Sequence, residues 1–309
     1  MTNTVEIVEV GPRDGYQGIG PFIPTARKLE LLERLVRAGV RRIEIGSFVS
    51  PKALPQLADT PDILHACERF PEMEPQVLVP NERWGRAAIE AGSKFLAFVL
   101  SVSEAHNRNN VRRAPAESAE EYERLIALMP AGAKMRLNIA TAFDCPFQDR
   151  VPDEDVLALL DRLVPLRPDA EICLCDTTGR ADPAHVARLF AAAQERFPQA
   201  GVWAFHAHDT YGLGTANVHA AHSQGVRVFD AAFGGLGGCP FAPGATGNVA
   251  TEDLVWMFER MGVSTGIDLD RLVPVAAEAV ELPGAVFGGR VRDALRNKPG
   301  GCQAAATAA

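Results

Sequence analysis

The chain has 309 residues, of which 47% are hydrophobic and 23% are charged, and its net charge is −8. This composition supports a sizeable core and excludes a disordered chain, while the length fits two small domains or one barrel of about 250 residues. The acidic balance argues against a surface that binds nucleic acid or an anionic membrane.

The chain shows no sign of membrane insertion or export. No apolar run reaches the roughly 20 residues that a membrane-spanning helix needs. The opening residues, Met1-Thr-Asn-Thr, lack the basic and apolar stretches of a signal peptide. Six cysteines are scattered without the close spacing of a disulfide framework. We therefore expect reduced thiols and a cytoplasmic enzyme.

Apolar, β-rich runs alternate with amphipathic helical patterns along the chain, and this alternation predicts a parallel sheet. The eight predicted strands are Val5–Val10, Arg42–Ser47, Gln76–Pro80, Phe95–Leu100, Met135–Ala140, Glu171–Cys175, Val202–His208 and Val228–Phe233. Predicted helices between them include Ala26–Ala38, Asn81–Ala91, Ser118–Leu128, Asp153–Leu163 and Pro183–Phe197.

A weak repeat of helix, glycine and strand recurs at Gly39, Gly92 and Gly225. Glycine suits the left-handed position that follows a helix. Eight such units can close into a barrel, whereas a doubly wound open sheet, the alternative, usually shows a Gly-x-Gly-x-x-Gly that is absent here. We predict an α/β fold, a (β/α)8 TIM barrel over residues 1–265. A helical extension and tail, residues 266–309, would belong to the same domain and include a helix at Asp268–Val280.

Two histidines at the end of the seventh predicted strand are candidate metal ligands. His206 and His208 are two residues apart, so their side chains point to the same face of a strand. Asp14, after the first strand, offers a carboxylate, and Asn248 offers a carbonyl oxygen. Two nitrogens and two oxygens suit Mg²⁺, Mn²⁺, Co²⁺ or Zn²⁺. The alternative is a pair of buried core histidines that are hydrogen-bonded to other protein groups.

Arg13 follows the first predicted strand, and Glu44 lies within the second. A guanidinium at a strand end can stabilise an enolate or a thioester oxygen. Glu44 lies in the apolar strand segment Ile43-Glu-Ile45, so a buried carboxylate there needs a partner, and Arg13 is a candidate. The alternative is that Arg13 forms only a structural salt bridge, to Glu44 or to Glu9.

Cys239 lies in a segment that has six glycines between Gly234 and Gly247. A thiol there can act as a general acid or base, or can serve as a small apolar residue. Its position alone favours the structural interpretation.

Together these segments resemble the 3-hydroxy-3-methylglutaryl-CoA lyases, which belong with isopropylmalate and homocitrate synthases to a group of metal-dependent barrel enzymes. The resemblance covers roughly Val5 to Gly262. The matching segments are Glu9-Val-Gly-Pro-Arg-Asp-Gly, Gly46-Ser-Phe-Val-Ser-Pro-Lys, His206-Ala-His-Asp-Thr-Tyr-Gly, Gly235-Leu-Gly-Gly-Cys-Pro and Gly247-Asn-Val-Ala-Thr-Glu-Asp-Leu.

The resemblance implies a role for each candidate residue. It implies that the metal ligands are Asp14, His206, His208 and Asn248, and that Arg13 polarises the thioester carbonyl and stabilises the enolate of acetyl-CoA. It further implies that Glu44 is a supporting catalytic carboxylate, that Cys239 takes part in proton transfer, and that Gln17 and Asn110 line the substrate pocket.

Three segments depart from the family pattern. Where the family has leucine and then Gln-Asn-Glu-Lys after Asp14-Gly, this chain reads Tyr16-Gln-Gly-Ile-Gly. Ala231-Ala-Phe-Gly and Met135-Arg-Leu-Asn-Ile-Ala-Thr differ as well. These departures leave the metal and the reaction type intact, and they leave the acyl substrate open.

The resemblance implies a metal-dependent retro-Claisen cleavage of a 3-hydroxy-3-methylglutaryl-CoA-like thioester to acetyl-CoA and acetoacetate, as in leucine degradation. Mg²⁺ or Mn²⁺ is the expected cofactor, His206 or Asp14 the expected base and a homodimer the expected assembly. One alternative is a lyase, aldolase or synthase of this family acting on another acyl-CoA or 2-keto acid, for example a citramalyl-CoA-like or longer-branched substrate. The other is a barrel that binds a metal or CoA ester without catalysis.

Overall fold

Eight parallel strands form a closed barrel at the centre of the molecule. The structure, a computed structural model, describes residues 3–238 and 246–296. The strands are β1 (Glu6–Glu9), β2 (Arg42–Ser47), β3 (Glu74–Val79), β4 (Phe95–Ser101), β5 (Lys134–Ala140), β6 (Glu171–Asp176), β7 (Val202–Ala207) and β8 (Val228–Ala231). Each strand pairs with its sequence neighbours, and β8 pairs with β1. All eight predicted strands are present, so the predicted TIM barrel is confirmed.

Helices surround the barrel and connect successive strands. They are α1 (Thr25–Arg37), α2 (Thr60–Ala66), α3 (Glu82–Glu90), α4 (Glu104–Val111), α5 (Pro115–Leu128), α6 (Asp153–Leu163), α7 (Pro183–Arg196), α8 (Gly214–Ser223), α9 (Thr251–Arg260), α10 (Leu269–Ala279) and α11 (Val291–Arg296). None of the helices in the described ranges combines the length and apolarity that a bilayer span requires. The three repeat glycines have left-handed φ angles, as predicted.

The C-terminal extension packs onto the outer ring of helices. Glu278 on α10 forms ion pairs with Arg27 and Arg34 on α1, and the amide of Asp268 donates to the carbonyl of Ala38 at 2.7 Å. The predicted helix at Asp268–Val280 is therefore present as α10, and α11 follows it.

The barrel interior carries charged side chains, and apolar side chains lie on the outward faces of β2 and β6. Arg42 on β2 bonds Glu171 on β6 at 2.7 Å, which places both side chains inside the barrel. Successive residues on a strand point to opposite faces. Ile43, next to Arg42, and Ile172, next to Glu171, therefore point outward to the helices. Both isoleucines are buried. Because of this alternation, charged side chains can line the interior of the barrel up to its carboxyl end.

Two features after the strands differ from the predicted pattern. The predicted eighth strand extends to Phe233, but β8 ends at Ala231 because residues 233–235 form a 3₁₀ turn in which Gly234 has a φ of 69°. After β1, Gly11–Gly15 form one turn of π-helix, a geometry often found at functional sites. Both turns lie at the carboxyl end of the barrel, where TIM-barrel active sites lie.

Candidate metal centre

Asp14, His206 and His208 converge at the carboxyl end of the barrel, where each offers a ligand atom within 4.8 Å of the others. Asp14 lies in the π-helix after β1, His206 lies near the end of β7, and His208 follows that strand. Asn248 comes to the same place because it pairs with His208 in an isolated antiparallel bridge. The structure thus brings together all four residues predicted as ligands.

The Asp14 carboxylate accepts three hydrogen bonds from residues of this cluster and its surroundings. Its Oδ1 accepts from Arg13 Nη1 at 2.6 Å and from Gln17 Nε2 at 2.9 Å, while Oδ2 accepts from Asn248 Nδ2 at 2.8 Å. His208 Nε2 lies 3.9 Å from Oδ2. Burial raises the pKa of Asp14, but the charges of Arg13 and the histidines lower it more, to about 2. The carboxylate is therefore ionised at neutral pH.

The two imidazoles lie side by side but have different environments. Their ring centroids are 5.1 Å apart, and His206 Nδ1 lies 3.0 Å from Asp230 Oδ2, which leaves Nε2 to face the cluster. Burial lowers the pKa of His206, but the hydrogen bond and charge of Asp230 raise it above its ordinary value. Burial and the neighbouring His206 lower the pKa of His208 to about 4, so its ring is neutral at pH 7.

The donor set fits a divalent cation. His208 Nδ1 and Asn248 Oδ1 are buried, and neither has a hydrogen-bond partner among the described residues. Buried polar atoms of this kind are uncommon in folded proteins and call for an explanation such as an ion. A carboxylate, an amide oxygen and two imidazole nitrogens are ligands that Mg²⁺, Mn²⁺, Co²⁺ and Zn²⁺ accept.

Arg13 is held by Glu44 and not by Glu9. Arg13 Nε donates to Glu44 Oε1 at 2.5 Å, and the other oxygen of Glu44 accepts from Gln76 Nε2 at 2.6 Å. Burial lowers the pKa of Arg13, but the charges of Glu44 and Asp14 raise it above its ordinary value. The guanidinium is thus a fixed cation beside the candidate ligands. Glu9 instead accepts from the Thr251 hydroxyl at 2.6 Å.

The remaining predicted site residues differ in how the structure places them. Gln17 lies at the cluster, where it donates to Asp14. Asn110 is exposed near the end of α4 and forms no hydrogen bond to the cluster within the described residues. Cys239 lies outside the described residues.

Sequence reasoning missed Asp230 and Arg136. Asp230 on β8 holds His206, and Arg136 Nη2 on β5 donates to both oxygens of Asp230 at 2.7 Å. The signal was available, because Asp230 interrupts the apolar run of β8 as Glu44 interrupts that of β2. A carboxylate next to a candidate ligand histidine fixes which ring nitrogen carries the proton.

Tyr16, the departure next to Asp14, points into the core. Its side chain is 1% exposed, and its ring meets Phe233 edge to face at 6.1 Å. Its hydroxyl has no hydrogen-bond partner among the described residues. Burial and the charge of Glu9 raise the pKa of this phenol. Tyr16 therefore acts on the site only through packing.

Comparison with known proteins gives a consistent result. The HMGL-like family model matches residues 4–278. An (R)-citramalyl-CoA lyase of Chloroflexus aurantiacus is 43% identical over 280 residues, covering 87% of this chain and 88% of its own. A hydroxymethylglutaryl-CoA lyase of Pseudomonas mevalonii is 40% identical over 272 residues, covering 88% and 90%. The structure of an HMG-CoA lyase from Acinetobacter baumannii with coenzyme A and 3-methylmalate has a TM-score of 0.89 and 38% identity, covering 96% of this chain and 97% of that one.

Proposed function

We propose that this chain, which belongs to the HMGL-like family of carbon–carbon lyases, cleaves a 3-hydroxyacyl-CoA with a distal carboxylate to acetyl-CoA and a keto acid. The observation that carries the proposal is the convergence of Asp14, His206 and His208 beside the Arg13 guanidinium. Asp14, His206, His208 and Asn248 would hold Mg²⁺ or Mn²⁺. When bound, such a cation lowers the pKa of a hydroxyl group that it contacts.

The protein groups divide the remaining work. The candidate bases for the substrate hydroxyl are His206, whose Nδ1 is held by Asp230 at 3.0 Å, and Asp14. After loss of that proton, the bond between C2 and C3 breaks and the electron pair moves into the acetyl-CoA enolate. Arg13, which Glu44 fixes, would stabilise the enolate oxygen. Cys239 would then deliver a proton to C2.

Two thioesters are candidates for the substrate. The first is 3-hydroxy-3-methylglutaryl-CoA, which gives acetoacetate, because relatives with this activity match almost the whole chain. The second is citramalyl-CoA, which gives pyruvate, because a lyase for that substrate is 43% identical. The two differ by one methylene between the carbinol carbon and the distal carboxylate. Gln17, which donates to Asp14 at 2.9 Å, is our candidate for the residue that would sense this difference.

A product assay tests the proposal. Protein stripped with a chelator is reloaded with Mg²⁺ or Mn²⁺ and incubated with each thioester, and acetyl-CoA, acetoacetate and pyruvate are measured separately. We expect acetyl-CoA from at least one thioester only after reloading. The matched variant Arg13→Lys keeps the charge but loses the fork that Glu44 and Asp14 orient, so it should turn over more slowly.

The assay also separates the alternatives. Turnover of neither thioester, nor of a longer-branched analogue, would contradict a lyase acting on these acyl-CoA esters. Unchanged turnover in Arg13→Lys would contradict the role of the guanidinium. We also infer a homodimer, since barrels of this kind often pair, and light scattering on the purified protein tests it.

A further inference from the structure

The segment Phe233–Gly238, here called the loop root, carries the chain from β8 towards Cys239. Gly234 and Gly235 have φ angles of 69° and 57°, in the left-handed region that favours glycine. A Cβ atom on Gly235 would lie 2.9 Å from the backbone of Gly288. The loop root is therefore held in one unusual conformation, in direct contact with a C-terminal segment.

Two buried carboxylates hold successive amides of the loop root. Glu9 accepts from the amide of Phe233 at 3.0 Å, and Glu252 accepts from the amide of Gly234 at 3.0 Å. Both glutamates are fully buried. Burial raises the pKa of Glu9 to about 8 and that of Glu252 to about 7.

A C-terminal strap, residues 286–292, covers the other side of the loop root. The amide of Gly237 donates to the carbonyl of Val286 at 3.0 Å, and the amide of Gly288 donates to the carbonyl of Gly234 at 3.1 Å. These two hydrogen bonds join the strap to the loop root. Because the strap belongs to the extension after the barrel, it brings a distant part of the chain to the site.

Arg292, the last residue of the strap, forms hydrogen bonds both within the strap and to the loop root. Its Nη1 donates to the carbonyls of Gly288 at 3.0 Å and of Gly234 at 3.3 Å, and it lies 3.8 Å from Glu252 Oε1. The side chain is 2% exposed although it is charged. A guanidinium suits this place because one rigid fork can serve several acceptors at once.

The loop root also touches the candidate metal centre. The carbonyl of Leu236 accepts from Asn248 Nδ2 at 3.0 Å, and a Cβ on Gly15 would lie 2.8 Å from Leu236 Cβ. Arg292 makes no hydrogen bond or ion pair with Asp14, His206 or His208 among the described residues. It can therefore influence the position of the loop root without providing a ligand.

We propose that Arg292 is a positioning residue of the lyase reaction. It contacts the strap, Glu252 and the loop root, and it thereby fixes the conformation of the loop root, which directly precedes Cys239 in the sequence. This inference rests on the proposed function, in which Cys239 delivers a proton to the enolate. Misplacement of a reacting group by about 1 Å can cost about 10²-fold in rate, so a contact remote from the substrate can matter for turnover.

The test compares Arg292→Gln and Arg292→Lys with the unsubstituted protein, all loaded with Mn²⁺. For Arg292→Gln we expect kcat to fall about 10²-fold and KM to change less than about threefold, since Arg292 is not proposed to touch substrate. Amide hydrogen exchange at the loop root should accelerate about tenfold or more, while exchange in β6 stays unchanged. Lysine should rescue kcat in part, because it restores the charge opposite Glu252 but not the fork.

Arg271→Gln is the matched control. Arg271 lies on α10 of the same extension, its side chain is 67% exposed, and it donates to the carbonyl of Arg37. Its loss should leave kcat and loop-root exchange unchanged. If Arg292→Gln does not fold, Arg292→Lys decides the question, and a kcat equal to that of the unsubstituted protein would overturn the proposal.

Two further outcomes separate this inference from the proposed function. Faster exchange throughout the barrel, or an unchanged loop root in a folded Arg292→Gln, would show a role in stability alone and overturn the proposal. The rate at which iodoacetamide alkylates Cys239, followed by peptide mass spectrometry, needs no turnover. Suppose that the unsubstituted protein cleaves no thioester, while exchange and alkylation still change in Arg292→Gln. The proposed function then fails, and the proposed effect of Arg292 on catalysis is overturned with it. The structural part, that Arg292 fixes the loop root, would stand.

Discussion

The barrel interior and the candidate metal centre both hold buried charge, but they satisfy it differently. In the interior, Arg42 bonds both oxygens of Glu171 at 2.7 and 2.8 Å, and Arg136 bonds Asp230 at 2.7 Å. At the carboxyl end, His208 Nδ1 and Asn248 Oδ1 are buried without partners in the described part of the chain. In the interior even Arg136 Nη1, which lacks a hydrogen bond among the described residues, lies 3.1 Å from the opposite charge of Glu171. The paired charges support the barrel, whereas the unpartnered atoms of His208 and Asn248 are available for binding.

The two regions are nevertheless connected. Asp230 accepts from Arg136 in the interior and bonds His206 at the carboxyl end. Arg13 similarly lies between Asp14 and Glu44, which Gln76 holds from inside the barrel. The interior network therefore also sets the orientation of the residues above it.

Asp14→Asn tests the carboxyl end. The substitution removes the only carboxylate of the proposed ligand set, so we expect turnover to fall about 10²- to 10³-fold, as for the loss of one electrostatic contact in a transition state. Titration calorimetry with Mn²⁺ should show a parallel loss of affinity. Asp209→Asn is the control, since Asp209 accepts from the amide of Gly214 at the start of α8. Equal affinity for Mn²⁺ in Asp14→Asn and the unsubstituted protein would refute the ligand role.

Arg136→Met tests the interior. Removing one member of a buried ion pair leaves its partner charged and unpaired, which costs about 3–5 kcal/mol in stability. Here the partners are Asp230 at 2.7 Å and Glu171 at 3.1 Å. Urea unfolding of the metal-free protein measures the change in free energy. A loss below about 1 kcal/mol, the usual size for exposed pairs, would mean that the interior charge is not needed for stability.

Asp230→Asn tests the connection between the two regions. Loss of a carboxylate that orients a ligand histidine usually lowers metal affinity by about 10- to 100-fold. We expect a fall of that size in Mn²⁺ affinity, measured by calorimetry at pH 7. Asp153→Asn is a matched control, because Asp153 contacts His185 at 2.8 Å on the outer helices. An affinity change that is equal in both variants would argue against a specific role for Asp230.

Glu9→Gln tests a buried carboxylate whose hydrogen bonds come from Gly11, Phe233 and Thr251. Burial raises the pKa of Glu9 from 4.5 to about 8, so the folded state binds more protons than the unfolded state between these values. The contribution of Glu9 to the free energy of unfolding is complete below the pKa that it has in the unfolded state. That contribution is lost as the pH rises through its pKa in the folded state. We expect unfolding free energy to decline less steeply from pH 5 to 8 in Glu9→Gln, as followed by urea titrations. Parallel pH profiles would contradict the raised pKa.

Tyr16→Phe should have the smallest effect. It removes a buried hydroxyl that has no partner among the described residues, so we expect a gain in stability of up to about 1 kcal/mol and no change in turnover. Thermal unfolding and the thioester assay measure the two quantities. A marked fall in turnover would show that the Tyr16 hydroxyl contributes to the reaction in addition to the proposed metal ligands.

Much of the site was predictable because its residues follow strand ends. His206 and His208 are two residues apart at the end of one strand, and Asp14 follows another, so their meeting requires only that the barrel closes. Gln17 was predicted from the family resemblance, and the structure brings its side chain to Asp14. Asn110 could not be placed in the same way, because it lies on a helix whose distance from the barrel axis depends on packing.

The sequence by itself determined the order of strands and helices, the barrel, and which polar side chains point inward, because these depend on local propensity and on a repeat of two residues along each strand. Only the tertiary structure decided the partners. Arg13 could have paired with Glu9 or Glu44, and the structure selects Glu44 because Glu9 is occupied by Thr251 and the loop root. The contact of Arg292 with Gly234, 58 residues earlier in the chain, depends on how the extension packs against the closed barrel. No periodicity in the sequence encodes that distance.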